Sequence, residues 1–171
     1  ETWRDFFYTE LTTGLRRGEI CGLMWKDFDA STGTLKILRS VNAPKRGELE
    51  IGKTKTERGR RAIRLPPSTI QRLKERKKHA ISQWIFPDPL APEKPVRPSA
   101  AYYWMKVLLK EAGLPHIHFH DLRHTFATMA RENGMDTKIL SAMLGHVSAA
   151  TTLDIYTHIP GDMLREAAAK I

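Results

Sequence analysis

Apolar side chains recur along this chain with two different periods, and the changes of period divide it into helices and strands. Residues 3–28 read as a helix interrupted at Thr12-Thr13-Gly14. Beyond the break Arg16, Ile20 and Leu23 fall at i, i+4 and i+7, one helical face, which turns Arg16 toward the core side. From Thr34 to Leu65 the period becomes two: Leu35, Ile37 and Val41, then Leu49 and Ile51, then Ile63 and Leu65, separated by Pro44-Lys45-Arg46-Gly47 and Glu57-Arg58-Gly59. Alternation bounded by turn residues predicts three short antiparallel strands in one sheet. Pro66-Pro67 closes that region, Ser68 is placed to cap a basic helix running to Lys78, and Trp84-Ile85-Phe86 is a short apolar run.

Five of the ten prolines lie between Pro87 and Pro98, a density that predicts an exposed loop. Ser99 then caps a helix with Ala101, Met105, Leu108 and Ala112 on one face, closed by Gly113. Another helix runs from Asp121 to Asn133-Gly134, with Phe119, Leu122, Phe126 and Met129 as its buried stripe. Asp136 caps the next, with Ile139, Leu140, Met143 and Leu144 inward and Gly145 as its stop. A short helix over Thr152–Thr157 ends at Pro160-Gly161, and Asp162–Ile171 forms a last Ala-rich helix. The pattern predicts one domain, mostly α with a small three-stranded antiparallel β-sheet, an α+β fold.

Composition narrows the function. At 171 residues the chain is long enough to bury a core without staples. Lys and Arg number 28 against 19 Asp and Glu, a net +9, and the pI of about 9.8 argues for a polyanionic partner such as nucleic acid. The single Cys21 excludes an intramolecular disulfide framework and a Cys-based zinc cluster, so a reducing, cytoplasmic setting is expected. No apolar run reaches the ~18 residues a membrane helix needs, and no membrane association is expected.

Five groups of residues carry candidate chemistry, four of them with a plainer structural reading alongside. In Thr13-Gly14-Leu15-Arg16-Arg17-Gly18-Glu19 an Arg at a helix start, with Glu19 one turn later to hold its guanidinium, can present a bidentate donor to a phosphate; the plainer reading is a surface Arg/Glu pair. In His120-Asp121-Leu122-Arg123-His124 the i, i+3 spacing places an imidazole beside a fixed cation at the edge of the core, and the plainer reading is a buried, hydrogen-bonded His. His116, His118 and His120 alternate, which in a strand would suit zinc, but no ligand carboxylate accompanies them and no metal is expected. His146 follows the helix-stopping Gly145, ten residues before Tyr156, and a phenol becomes a nucleophile only when a base or cations stabilise its phenolate; packing is the alternative for Tyr156. Around the hairpin turn Lys53, Lys55, Arg58, Arg60, Arg61 and Arg64 can push cations into a DNA groove or form a solvated charged hairpin.

Taken in order, T-G-L-R-R-G-E, a hairpin Lys in T-K-T-x-x-G-x-R, H-D-L-R-H-T, L-G-H and T-T-L-D-I-Y-T-H, the chain resembles the catalytic domain of the tyrosine recombinases, the phage integrase family, over nearly its whole length. The resemblance implies that Arg16 and Arg123 clamp a scissile phosphate, that His120 and His146 are the family's histidines, and that Tyr156 is the nucleophile. Lys55 matches the hairpin Lys that protonates the leaving 5′ oxygen, with Lys53 as the alternative register, and Glu19 matches the acid supporting the first Arg. Lys53, Arg58, Arg60 and Arg61 are expected to face DNA. Arg64 stands where relatives often carry Pro. The implied activity is site-specific recombination through a 3′-phosphotyrosyl intermediate, with no metal, nucleotide or other cofactor. The expected partners are double-stranded DNA and three further copies in a tetramer on DNA, with a monomer free in solution. The family's N-terminal core-binding domain is expected to lie outside residues 1–171, and Leu164–Ile171 to dock at home or on a neighbour. A type IB topoisomerase-like relaxing enzyme, a catalytically idle DNA-binding domain and a metal-dependent nuclease are the competing readings.

Overall fold

The computed structural model describes residues 2–45, 48–53 and 60–145, except for the side chain of Lys53. The helices expected over 152–157 and 162–171 lie outside the described residues. Helix α1 (Thr2–Thr13) buries Phe6, Phe7, Thr9, Glu10 and Thr13. It ends where Gly14 turns left-handed at φ +61°. A Cβ there would stand 2.3 Å from Phe126 Cδ1 and 2.9 Å from Leu144 Cδ2, so the backbone passes between two helices at a point with no room for a side chain. Helix α2 (Arg17–Cys21) follows and is shorter than the period predicts, because Gly22 ends it and Trp25–Asp27 form one 3-10 turn leading into strand β1 (Phe28–Asp29).

The expected single sheet is divided in two. Strand β2 (Thr34–Ile37) pairs antiparallel with β1 and with β5 (Arg61–Arg64), in the register Leu35 to Ile63 and Ile37 to Arg61. Strands β3 (Arg39–Asn42) and β4 (Glu50–Lys53) form a separate antiparallel ribbon. The ribbon is drawn onto α2, where a Cβ at Gly18 would stand 2.4 Å from Ser40 Oγ and 2.7 Å from the Val41 carbonyl oxygen. Arg39 anchors the same junction through the Asp27 carboxylate and the Gly22 carbonyl.

Helices α3 (Pro67–Lys78) and α4 (Pro98–Glu111) both start on a proline; Pro66 and Arg97 occupy the N-cap positions without a side-chain cap bond, where the sequence suggests Ser68 and Ser99 as caps. The proline-rich segment between them is not wholly a loop. It holds a hairpin of β6 (Pro87–Asp88) and β7 (Ala91–Pro95), in which Pro87 and Pro95 are terminal residues, where a missing donor is tolerated. Helix α5 (Phe119–Glu132) begins two residues earlier than predicted, its start fixed by the His118 amide donating to the Asp121 carboxylate at 2.6 Å. Helix α6 (Thr137–Leu144) matches its prediction at both ends: Asp136 accepts from the Lys138 and Ile139 amides, and Gly145 is left-handed at φ +65°. Leu108, Met129 and Ile139, expected inward, are exposed, since no described element covers those faces.

Aromatic packing positions the rest. Phe6 meets Phe86 edge-on at 5.1 Å and Phe119 at 6.3 Å, laying α1 along α5. The C-terminal end of α1 therefore abuts the first turns of α5 and the last turn of α6. Among the described residues no helix is long and apolar enough to cross a membrane. Gly14→Ala adds both left-handed strain and overlap with Phe126, and is expected to lower the unfolding free energy by about 2–4 kcal/mol in urea titration; a loss below about 0.5 kcal/mol would contradict the close-approach account.

Candidate active site

Three arginines from three elements converge on the end of α6. Arg123 of α5 is only 1% exposed and donates from Nη1 to the Gly14 carbonyl at 2.8 Å and from Nη2 to the Leu144 carbonyl at 2.6 Å. Arg61 of β5 donates through Nε to the Met143 carbonyl, and Arg16 through Nη2 to the Gly145 carbonyl at 3.2 Å. The last carbonyls of a helix lack intrahelical donors and carry the negative end of its dipole. Three consecutive carbonyls, those of residues 143–145, thus each receive one guanidinium.

One carboxylate organises two of the three. Glu19 accepts the Arg16 amide at 2.9 Å and Arg16 Nη1 at 3.0 Å, and a bidentate fork from Arg61 Nη1 and Nη2 at 3.0 and 2.9 Å. Burial pushes the Glu19 carboxyl up, but the hydrogen bonds and charge of Arg61, then those of Arg16, outweigh it and hold the group below its ordinary value. Arg61, expected to face DNA, is therefore turned inward, with 8% of its side chain exposed and its guanidinium committed to Glu19 and α6. Its place two residues before Ile63 puts it on the buried face of an alternating strand, a signal legible in the sequence. Arg16 departs from expectation in the other direction: 44% of its side chain is exposed, at the rim and open to a ligand.

His120 lies exposed on the first turn of α5, and its ring meets that of His124 edge-on at 4.6 Å. Burial, then His124 and Arg123, push His120 below the ordinary histidine value, and burial does the same to His124, whose buried Nδ1 has no hydrogen-bond partner among the described residues. His120 and Arg123 line a cleft of about 420 Å³ shared with Glu10, Arg17, Tyr102 and His118. A larger groove of about 700 Å³, near Asp5, Arg72 and Trp84, lies toward the other end of α1 and contains none of the predicted site residues. Burial pushes the Cys21 thiol up, so it is no nucleophile.

The structure thus brings together Arg16, Glu19, His120 and Arg123. Arg60 is exposed beside β5. The Lys53 backbone pairs with Arg39 at the end of β4. Lys55, Arg58, His146 and Tyr156 lie outside the described residues. Glu10, an acid within the buried stripe of α1 at i+4 from Phe6 and i+3 from Phe7, lines the same cleft and belongs to none of the sequence motifs. His116 and His118 precede α5 with rings 5.8 Å apart, and no group of three His, Cys, Asp or Glu among the described residues is arranged to hold a metal.

Removing Glu19 would leave Arg61 buried without its counter-charge. Glu19→Ala is expected to cost about 3 kcal/mol of unfolding free energy, against less than about 0.5 kcal/mol for Arg60→Ala. The sign with pH follows from the lowered carboxyl: the Glu19 contribution is present above pH 4.5 and fades as pH falls through its folded value. Chemical denaturation of both variants at pH 7 checks the ranking, and equal losses would contradict it.

The phage integrase family profile matches residues 4–161. A tyrosine recombinase XerC-like protein of Caldanaerobacter subterraneus subsp. tengcongensis is 30% identical, over 91% of this chain and 45% of its own length. The ICEBs1 integrase of Bacillus subtilis is 26% identical, over 99% of this chain and 48% of its own. The Tn1549 transposon integrase, solved in complex with circular intermediate DNA, superposes with a TM-score of 0.78 at 26% identity, covering 97% of this chain and 58% of that one. The chain spans about half the length of the curated relatives it matches. Its fold is that of the tyrosine recombinase catalytic domains it superposes on, and the chain belongs to the phage integrase family.

Proposed function

We propose that this chain is the catalytic domain of a site-specific DNA recombinase that cuts and rejoins strands without metal or nucleotide cofactor. The observation that carries the reading is the pair Arg16 and Arg123, held beside His120 by Glu19 and by the carbonyl end of α6. Attack on a phosphodiester builds charge on the nonbridging oxygens, and two preorganised guanidinium groups stabilise that charge without reorganisation at the moment of reaction. The Tyr156 oxygen attacks phosphorus and the bond to the 5′ oxygen breaks. The phenol proton passes to His120, which its lowered affinity for protons keeps neutral, and Lys55, with Lys53 as the alternative, gives a proton to the leaving oxygen. The 3′-phosphotyrosyl bond conserves the energy of the broken bond, so a 5′ hydroxyl from another duplex can complete strand exchange. His146 would add a further hydrogen-bond donor to the phosphate.

Exposed Arg60, with Lys53 and Arg58, serves the DNA backbone in this reading, while Arg61 acts from inside by fixing Glu19. An N-terminal domain outside residues 1–171 completes a clamp around the duplex, and a tetramer on DNA, a monomer free in solution, carries out exchange; the match of 97% of this chain to a transposon integrase solved on DNA supports the DNA partner. The protein is then soluble and associated with DNA in a bacterial or phage-infected cell.

With a nicked suicide duplex in chelator, the full-length protein is expected to form a covalent band on a denaturing gel, and Tyr156→Phe to abolish it while duplex binding persists. A band surviving Tyr156→Phe would overturn the assignment. A second expectation concerns pH: a base that must be neutral and whose proton affinity is lowered gives an acid limb of adduct formation with its midpoint below pH 6.5. Single-turnover rates between pH 5 and 8 check this, and a midpoint above 6.5 would contradict His120 as the base.

A further inference from the structure

Glu10 sits on the inward face of α1, one turn before Gly14. It is fully buried, and neither carboxyl oxygen has a hydrogen-bond partner among the described residues. Arg123 Nε is buried and unpartnered in the same sense. Both residues line the cleft between α1, α4 and α5. The backbone ties them together: the Gly14 amide donates to the Glu10 carbonyl at 2.8 Å, and the Gly14 carbonyl accepts from Arg123 Nη1 at 2.8 Å. Two orphaned groups, one an acceptor and one a donor, thus face one small cleft from either side of a shared glycine.

An ionised carboxylate with no donor on either oxygen would be an uncompensated buried charge, which a fold tolerates far less well than a neutral acid. The neutral acid keeps one carbonyl acceptor and one O–H donor. The surroundings agree. Burial pushes the Glu10 carboxyl well above its ordinary value, Arg123 pulling it back and the charge of Glu19 pushing it further. Arg17, Tyr102, His118 and His120 complete the cleft wall, and Cys21 also feels the Glu10 carboxyl.

We propose that Glu10 is a positioning residue for Arg123: as an uncharged acid it takes the Nε–H through a water in the cleft and orients the guanidinium toward the bound phosphate without cancelling its charge. The proposal rests on reading this site as one that cleaves a phosphodiester. It assigns opposite duties to two carboxyls a few residues apart in the fold. Glu19, ionised, ties Arg16 and Arg61 in place. A second ionised carboxylate beside Arg123 would withdraw positive charge from the phosphate site, whereas a neutral acid supplies geometry alone.

Glu10→Gln and Glu10→Leu in the full-length protein separate these duties. The amide of Gln offers the same acceptor and a donor, with no charge, while Leu fills the space and offers neither. Glu10→Gln is expected to keep single-turnover adduct formation within about threefold of wild type, and Glu10→Leu to lose about tenfold or more. The arginine Nε–H resonances, with Arg123 assigned by its disappearance in Arg123→Lys, read the contact without DNA. The Arg123 signal should hold in Glu10→Gln and move in Glu10→Leu. Melting against pH adds a folding readout: an acid with raised proton affinity stabilises most below pH 4.5 and loses that contribution as pH rises, so Glu10→Gln should gain on wild type from pH 5 to 8. A Glu10→Gln variant as impaired as Glu10→Leu would show that the charge is needed and overturn the proposal, as would an Arg123 signal indifferent to Glu10→Leu. If the wild type forms no adduct, the functional reading fails, and the Nε–H signal still decides the Glu10 contact. If Glu10→Leu melts below wild type, Glu10→Gln and that signal decide together.

Discussion

The carbonyl end of helix α6 is the interaction on which the site depends. Three neighbouring carbonyls with no helical donors accept Arg61, Arg123 and Arg16, and Glu19 holds two of those arginines against one another. Guanidinium groups clustered this closely repel, and burial alone disfavours their charge: Arg123 is lowered to about 10 by burial first and by Arg16 second. The helix end and Glu19 offset that repulsion, which lets a set of cations stand preformed without a bound anion. The same contacts fasten α6 to β5, α2 and α5, so the geometry of the site and the packing of the domain have one cause.

Gly14 makes the arrangement possible from the other side. Its lack of a side chain lets the end of α1 press between Phe126 and Leu144, and its carbonyl becomes an anchor for Arg123. Aromatic packing of Phe6 against Phe119 fixes the long axis of that contact, and the turn at Gly14 delivers Arg16 to the rim, where it stays partly exposed. A buried network of this kind tolerates little: each guanidinium left without its acceptor, or Glu19 without its donors, is a desolvated charge.

Much of this was legible in the order of residues, and what was not has identifiable reasons. Asp136 and Gly145 mark the ends of α6 because capping chemistry is local, and the motifs around Arg16, Glu19, His120 and Arg123 fall into one cluster as their order implies. The division of the sheet is not local: it follows from β3 settling on α2 at Gly18, a contact between distant segments. The charge of Arg61 suggests a surface cation, although its alternation with Ile63 places it inside. The exposure of Met129 and Ile139 depends on which neighbour covers a helix face, and periodicity names the apolar face without naming its cover. Glu10 carries no motif, and the role proposed for it rests on its burial together with the unpartnered Arg123 Nε.

The most direct measurement is a crystal structure of the full-length protein on an uncleaved duplex. The expected result is one phosphate with its nonbridging oxygens within about 3 Å of both Arg16 and Arg123, Glu19 still bridging Arg16 and Arg61, and α6 still capped. A complex in which Arg16 and Arg123 reach different phosphates, or in which Glu19 has released Arg61 to the DNA, would contradict a phosphate site preformed by the end of α6.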